Sequence, residues 1–131
     1  MKLRIVTPLR PVVDAEVTEL VAPGTEGEFG VLPEHVTFLG SLKPGVVTYT
    51  EGGNRKRIVI SGGYAEVRND TLTVLADDAQ LPEEVDAAQA RADVASLLEE
   101  LARNSEGPEV TEKLLRNLAL AEARAAVGSR Q

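Results

Sequence analysis

Cysteine is absent from the 131 residues. Its absence excludes disulfides, thiolate zinc sites and cysteine nucleophiles, and it suits a reducing compartment. Tryptophan is absent too, and two tyrosines and two phenylalanines leave little on which bases could stack. Basic charge is in deficit: 14 Lys and Arg face 21 Asp and Glu, a net charge of −7. An acidic surface repels phosphate backbones, so nucleic acid is not expected as a partner. No apolar run approaches the roughly 20 residues that a membrane span requires. Met1 to Arg10 contains no signal-peptide core. Direct membrane insertion is therefore not expected, and any membrane association would run through a partner.

Catalytic chemistry is equally sparse. His35 is the single histidine, and one imidazole without cysteines makes a poor metal site. It would also have to serve alone in any Ser-His-Asp set, so a structural or interface role suits it better. Gly24, Gly27 and Gly30 fit neither GxGxxG nor a Walker A loop; they read as a loop needing positive φ at several points. Asp77 and Asp78 are paired acids, but beside a change of composition they read as a solvated linker. Nothing here assembles a catalytic constellation, and no cofactor or metal is expected.

What the chain does contain falls into two halves. Through residue 81 the pattern has period two. Leu3 and Ile5 alternate with Lys2 and Arg4, Val13, Ala15 and Val17 with Asp14, Glu16 and Thr18, and Leu72 and Val74 with Thr71 and Thr73. One polar face in two predicts half-buried antiparallel strands. Gly52-Gly53-Asn54, Gly62-Gly63 and Asn69-Asp70 supply turns, the last suited to a tight hairpin. Short strands at this spacing predict a sandwich or barrel. Glu19 breaks the alternation of its strand and is expected at a bulge or an edge.

From Pro82 onward Ala, Leu, Glu and Arg take over. Pro82 is expected in the first turn of a helix, with Glu83, Glu84 and Asp86 against its positive end. Val94, Leu97, Leu98 and Leu101 form its stripe, and Asn104 to Gly107 end it. A second helix opens at Pro108 with one apolar face, Val110, Leu114, Leu118, Ala121 and Ala125, and Gly128 is a plausible stop. The short linker makes the helices antiparallel. Two such helices bury little area alone, so the pair must lie on the sandwich or on a partner. Lys113, Arg116, Arg124 and Arg130 follow an acidic first turn. They either complement the helix dipole or form a basic stripe for an acidic partner. The expected fold is thus α+β: an antiparallel β-sandwich over residues 1–81, then an antiparallel two-helix hairpin over residues 82–131.

Four stretches carry a family likeness: Val6-Thr7-Pro8, Glu26-Gly27-Glu28-Phe29-Gly30-Val31-Leu32-Pro33-Glu34-His35, Leu42-Lys43-Pro44-Gly45 and Ser61-Gly62-Gly63-Tyr64-Ala65-Glu66-Val67. Val74-Leu75-Ala76-Asp77 also fits. In this order they span the sandwich, and the chain resembles the epsilon subunit of bacterial F-type ATP synthases. The resemblance implies a non-catalytic central-stalk protein. It implies as partners the gamma subunit, the c subunits of the membrane rotor ring and, through the hairpin, the alpha and beta subunits of the catalytic head. It also implies a peripheral location on the cytoplasmic face of the bacterial cell membrane. Glu28, Phe29, Gly30 and His35 occupy the family's positions facing ring and stalk. The hairpin would have two placements, folded on the sandwich or extended along gamma to hinder ATP hydrolysis. In the extended placement Lys113, Arg116 and Arg124 are expected against an acidic surface of the head.

Some members of that family bind ATP through a stretch resembling Ile/Leu-Asp-x-x-Arg-Ala. Here Val85-Asp86-Ala87-Ala88-Gln89-Ala90 has glutamine for the arginine, and a neutral amide does not supply the charge a triphosphate needs. Asp86 and Arg91 are the remaining nucleotide-binding candidates, although Arg91 lies about 200° around the helix from the motif arginine's position. Two other readings stand beside the stalk subunit: a hairpin that senses ATP, and a ligand-binding sandwich with a helical oligomerisation arm.

Overall fold

Alternating side chains in the first part of the chain produce strands with one face turned inward. The structure, a computed structural model, describes residues 1–128. Its strands are β1 (Lys2–Val6), β2 (Pro11–Glu16), β3 (Glu19–Gly24), β4 (Gly27–Val31), β5 (Phe38–Leu42), β6 (Gly45–Glu51), β7 (Asn54–Ile60), β8 (Gly63–Arg68), β9 (Thr71–Ala76) and β10 (Ala79–Gln80). A 3₁₀ turn (Pro82–Glu84) follows, then α1 (Ala87–Arg103) and α2 (Pro108–Gly128). The α+β expectation is met, with strands first and a helical pair after them.

Hydrogen bonding runs in the order β10-β7-β6-β3-β5-β8-β9-β1-β2, with β4 on β3. A single pair, Gly24 with Leu42, joins β3 to β5, so the path divides there into two layers. Leu20, Val47, Ile58 and Ile60 from one layer meet Leu3, Ile5, Leu72 and Val74 from the other in one core. Each fully buried Leu, Ile or Val contributes about 1.5–3 kcal/mol, and this cluster is the main source of the sandwich's stability. Asn69 and Asp70 both take positive φ, 52° and 56°, in a two-residue turn between the paired β8 and β9. Gly52 and Gly53 do the same between β6 and β7. Both turns follow from their residues.

Several expectations need correction. The sandwich is not wholly antiparallel: β1 pairs with β9 in parallel, Leu3 opposite Leu72 and Ile5 opposite Val74. Both strands are apolar on the same alternate positions, a pattern that is indifferent to direction. Glu19 is neither at a bulge nor in the strand of Val13. The chain leaves β2 at Glu16, and Glu19 opens β3 opposite Thr50. Gly62-Gly63 does supply a turn, with φ of 116° and 142°, but β7 and β8 do not pair and it carries the chain between layers. Pro82 does not open α1. It opens the separate 3₁₀ turn, and α1 begins at Ala87 with Asp86 as its N-cap, whose carboxylate accepts from the Gln89 N–H at 3.0 Å.

The two helices are antiparallel, since a Cβ on Gly128 at the end of α2 would meet the Ala87 Cβ at the start of α1 at 2.8 Å. Gly128 is the last described residue of α2, and its missing side chain permits that close approach. Arg130 lies outside the described residues. The expected stripe is only part of α2. Leu120, Ala123 and Val127, spaced three and four apart, form a second stripe that packs with Val85 on Val46 and Val59 of the sandwich. α1 packs on α2, and Leu98 of its predicted stripe stays half exposed.

Candidate functional site

The glycine-rich segment is a β-hairpin, which corrects the loop expected there. β3 and β4 pair from Leu20 opposite Val31 to Gly24 opposite Gly27. Positive φ is needed at Gly27, 134°, and beyond the hairpin at Glu34, 66°. Gly24 serves close packing instead: a Cβ there would lie 2.6 Å from the Gly27 carbonyl oxygen and 2.9 Å from the Phe29 ring. The hairpin presents side chains.

Glu28 and Gly30 are exposed on β4, with Phe29 between them turned inward and half-buried. The structure brings Phe29 and His35 together through a residue that the sequence reading missed. The Phe38 ring lies 5.3 Å from Phe29, tilted at 59°, and 6.2 Å from His35, edge-on at 78°. Such tilted pairs are favourable ring geometries. Phe38 sits over Gly40, whose missing side chain makes the space. Nδ1 of His35 lies 2.8 Å from the Val36 carbonyl oxygen, to which it donates, leaving Nε2 for a partner. Leu32, Val36 and Leu39 are 59%, 75% and 69% exposed around this platform, and a cleft of about 460 Å³ beside it is lined by Glu26, Glu28, Phe29, Phe38 and Leu39. Exposed apolar side chains over an aromatic base, rimmed by carboxylates, suit contact with another protein.

The basic residues of α2 do not form one free stripe. Lys113 and Arg116, both exposed, line a cleft of about 540 Å³ with Glu109 and Glu112 of the same helix and Pro44 and Ser61 of the sandwich. Arg124 is half-buried and already engaged: its Nε donates to Gln80 Oε1 at 2.6 Å. The apolar C-terminal part of α2 thus touches the sheet while its charged first half stands across a cleft.

Asp86 and Arg91 are not brought together around a cavity. The Asp86 carboxylate caps α1, the Gln89 amide donates to Asp93 Oδ1 at 2.9 Å, and Arg91 is exposed. Asp77 and Asp78 serve through their backbones, the Asp77 N–H donating to Gly62 and the Asp78 carbonyl accepting from Ser61. Among the described residues no group of three or more His, Asp or Glu could hold a metal, and no helix is long and apolar enough to cross a membrane.

An ion pair joins the two halves at their seam. Arg10 Nη2 donates to both Glu84 oxygens, at 2.7 and 2.9 Å, and Glu84 Oε1 also accepts from the Leu81 N–H at 2.9 Å. The Leu81 N–H and then Arg10 hold the Glu84 carboxyl below its ordinary value. A carboxyl lowered by folding adds stability above its unfolded pKa, and that contribution is lost as pH falls through the folded value. The seam should therefore be intact at neutral pH and loosen below the ordinary carboxylate range. The Leu81 amide resonance, followed by NMR against pH, should titrate there and stay flat around neutrality.

Comparison with known proteins gives consistent matches. Residues 1–82 match the family model described as ATP synthase, Delta/Epsilon chain, beta-sandwich domain. An ATP synthase epsilon chain of Pelotomaculum thermopropionicum is 44% identical over 104 residues, 79% of this chain and 78% of that one. The epsilon chain of Syntrophobacter fumaroxidans is 48% identical over 92 residues, 70% of this chain and 69% of that one. Among solved structures, a chain in the Euglena gracilis mitochondrial ATP synthase (OSCP/F1/c-ring, rotational state 1) superposes with a TM-score of 0.80. It is 24% identical, and the match covers 95% of this chain and 78% of that one. At that identity the likeness shows the shared fold, sandwich and helices together.

Proposed function

The chain belongs to the ATP synthase delta/epsilon family, and from that premise we propose that it couples rotation of a membrane rotor ring to a catalytic head while making none of the chemistry itself. Its sandwich binds the gamma subunit and the c subunits, and its hairpin reaches the alpha and beta subunits. The assembly holds it peripherally on the cytoplasmic face of the bacterial membrane. The hairpin has two placements, and the extended one hinders ATP hydrolysis.

The observation that carries the switching part is the small seat of the hairpin. Among the described residues, Leu120, Ala123 and Val127 pack with Val85 on Val46 and Val59, and Arg124 hydrogen-bonds to Gln80. Two fully buried valines contribute about 1.5–3 kcal/mol each. A seat of a few kcal/mol is within the range that a partner surface can outweigh.

The sandwich is proposed as an independent unit through Leu81, since among the described residues its core draws on none beyond that one. A fragment of residues 1–81 should unfold cooperatively in circular dichroism and co-purify with gamma. It should lose about 2 kcal/mol where Val59 becomes exposed. An unfolded fragment, or one that does not hold gamma, sinks this division.

Glu28 is proposed to meet the polar loops of the ring, with Phe29, Gly30 and His35 in the same contact. Glu28→Gln keeps size and removes charge. It should weaken coupling of ion flow to ATP synthesis by more than it weakens gamma binding. A rim charge is worth at most about 1 kcal/mol, so roughly a fivefold loss is expected. Equal loss of both properties would count against the assignment.

A further inference from the structure

The two-placement reading requires a pivot, and the seam between sandwich and helices restricts where it lies. Gln80 is held in β10 opposite Val59. Leu81 packs against the main core. The 3₁₀ turn is closed by the Glu84 and Val85 N–H groups, which donate to the Leu81 and Pro82 carbonyls. Arg10, at the end of the β1–β2 turn, ties that turn to the sandwich through both oxygens of Glu84. Arg10 is itself fixed, since its N–H donates to Thr7 Oγ1 at 3.2 Å and the same hydroxyl donates to the Arg10 carbonyl at 3.1 Å. On the far side, the Asp86 carbonyl already accepts from Ala90, and the Asp86 carboxylate from Gln89.

Between these two hydrogen-bonded bodies stands one peptide unit. Val85 and Asp86 are both extended, with φ and ψ of −92° and 128°, and −87° and 99°. The last N–H claimed by the 3₁₀ turn is that of Val85, and the first carbonyl claimed by α1 is that of Asp86. The ψ of Val85 and the φ of Asp86 are thus the torsions that no local hydrogen bond fixes. In the docked arrangement packing holds them: Val85 is buried with Val59, Ala123 and Val127, and a Cβ on Gly128 would lie 3.2 Å from Val85 Cγ1. When α2 lifts, that packing and the Arg124–Gln80 hydrogen bond are lost together. Hinges commonly lie at such element-terminal residues.

We infer that the hairpin turns about the Val85–Asp86 peptide, and that Arg10 is the residue that keeps the pivot there by holding the 3₁₀ turn on the sandwich. Without Arg10 the turn would leave with the helices and the pivot would move back to Leu81. The hairpin would then gain reach and lose a defined direction. The inference rests on the proposed two placements and adds the position of the hinge.

NMR of the full chain tests it. Val127→Asp releases the hairpin, and the Val59 methyl groups, which α2 covers, report that release. With Arg10 present, hydrogen exchange at the Leu81 and Glu84 amides should stay at the wild-type rate although the Val59 methyls shift. With Arg10→Ala added, exchange at both amides should quicken about fivefold, the factor that a well-formed exposed ion pair supplies. Arg10→Ala alone in the docked protein should leave the Val59 methyls unmoved, which guards against a general loss of structure. Loss of protection at Leu81 and Glu84 in Val127→Asp alone would place the pivot upstream and overturn the inference. Unchanged exchange on adding Arg10→Ala would overturn the role of Arg10. Val59 methyls that do not move in Val127→Asp would overturn the two-placement reading, and the inference with it.

Discussion

A carboxylate at Val127 should empty the docked arrangement of the hairpin. Val127 is 1% exposed and packs with Val59 and Val85; it also lines a cleft with Arg55, Lys56 and Arg57, whose charges offset part of the cost of a carboxylate there. An unpaired buried charge costs about 3–5 kcal/mol. The sandwich core does not contain Val127, so the cost falls on docking rather than on the fold as a whole. An equilibrium between two placements would move by roughly two to three powers of ten. Limited proteolysis reads this directly. Cleavage in the seam around residues 85–86 should accelerate strongly in Val127→Asp, while the sandwich survives as a fragment. Val127→Ala keeps the site apolar and should give only the smaller effect of a cavity, about 1–3 kcal/mol. Equal cleavage of the wild type and Val127→Asp would mean that this contact does not hold the hairpin.

The basic residues of α2 should act in opposite directions, which separates two roles that the sequence presents as one. Lys113 and Arg116 are exposed over the cleft and contribute little to docking. If they hold the extended hairpin against an acidic surface, changing both to alanine weakens inhibition. Two partly desolvated pairs are worth about 1–2 kcal/mol together, so the placement equilibrium should shift roughly 5- to 30-fold toward docking and ATP hydrolysis by the head complex should rise. Arg124 differs because it binds Gln80 in the docked arrangement. Gln80→Ala removes that hydrogen bond and leaves the cation available for the extended placement. It should favour extension by about 1 kcal/mol and lower hydrolysis. A rise in both variants, or no change in either, would reject this division of roles. High salt should mimic the double alanine change through screening.

The legible parts of the fold were those written in local chemistry. Asn69-Asp70 and Gly52-Gly53 named their own hairpins because few other residues take positive φ there. The strand run and the helical pair followed from period and composition. The parallel pairing of β1 with β9 left no local mark, since inward alternation is the same for either direction. The start of α1 was misjudged because Pro82 and the acids after it suit a 3₁₀ turn as well as a helix. Asp86, read as a charge near a dipole, turned out to be the cap itself.

The candidate site was legible as a segment but not as a surface. Glu28 and His35 came from one motif, whereas Phe38, the ring that joins His35 to Phe29, lies outside it. An aromatic three residues beyond the histidine was the available signal. The second stripe of α2 was hidden because Ala123 is a weak apolar mark and Leu120 and Val127 are spaced around charged residues. Contacts between distant residues, Arg124 with Gln80 and Arg10 with Glu84, were beyond sequence reading, since 44 and 74 positions separate the partners.

The central claim is that the hairpin regulates the head from two placements while the sandwich keeps its hold on the stalk. Steady-state ATP hydrolysis by the head complex, assembled with wild-type chain, with Val127→Asp or with the 1–81 fragment, tests it most directly. Hydrolysis should be lowest with Val127→Asp, intermediate with the wild type and highest with the fragment, at equal occupancy of gamma. Equal rates with all three, at equal occupancy, would contradict the account.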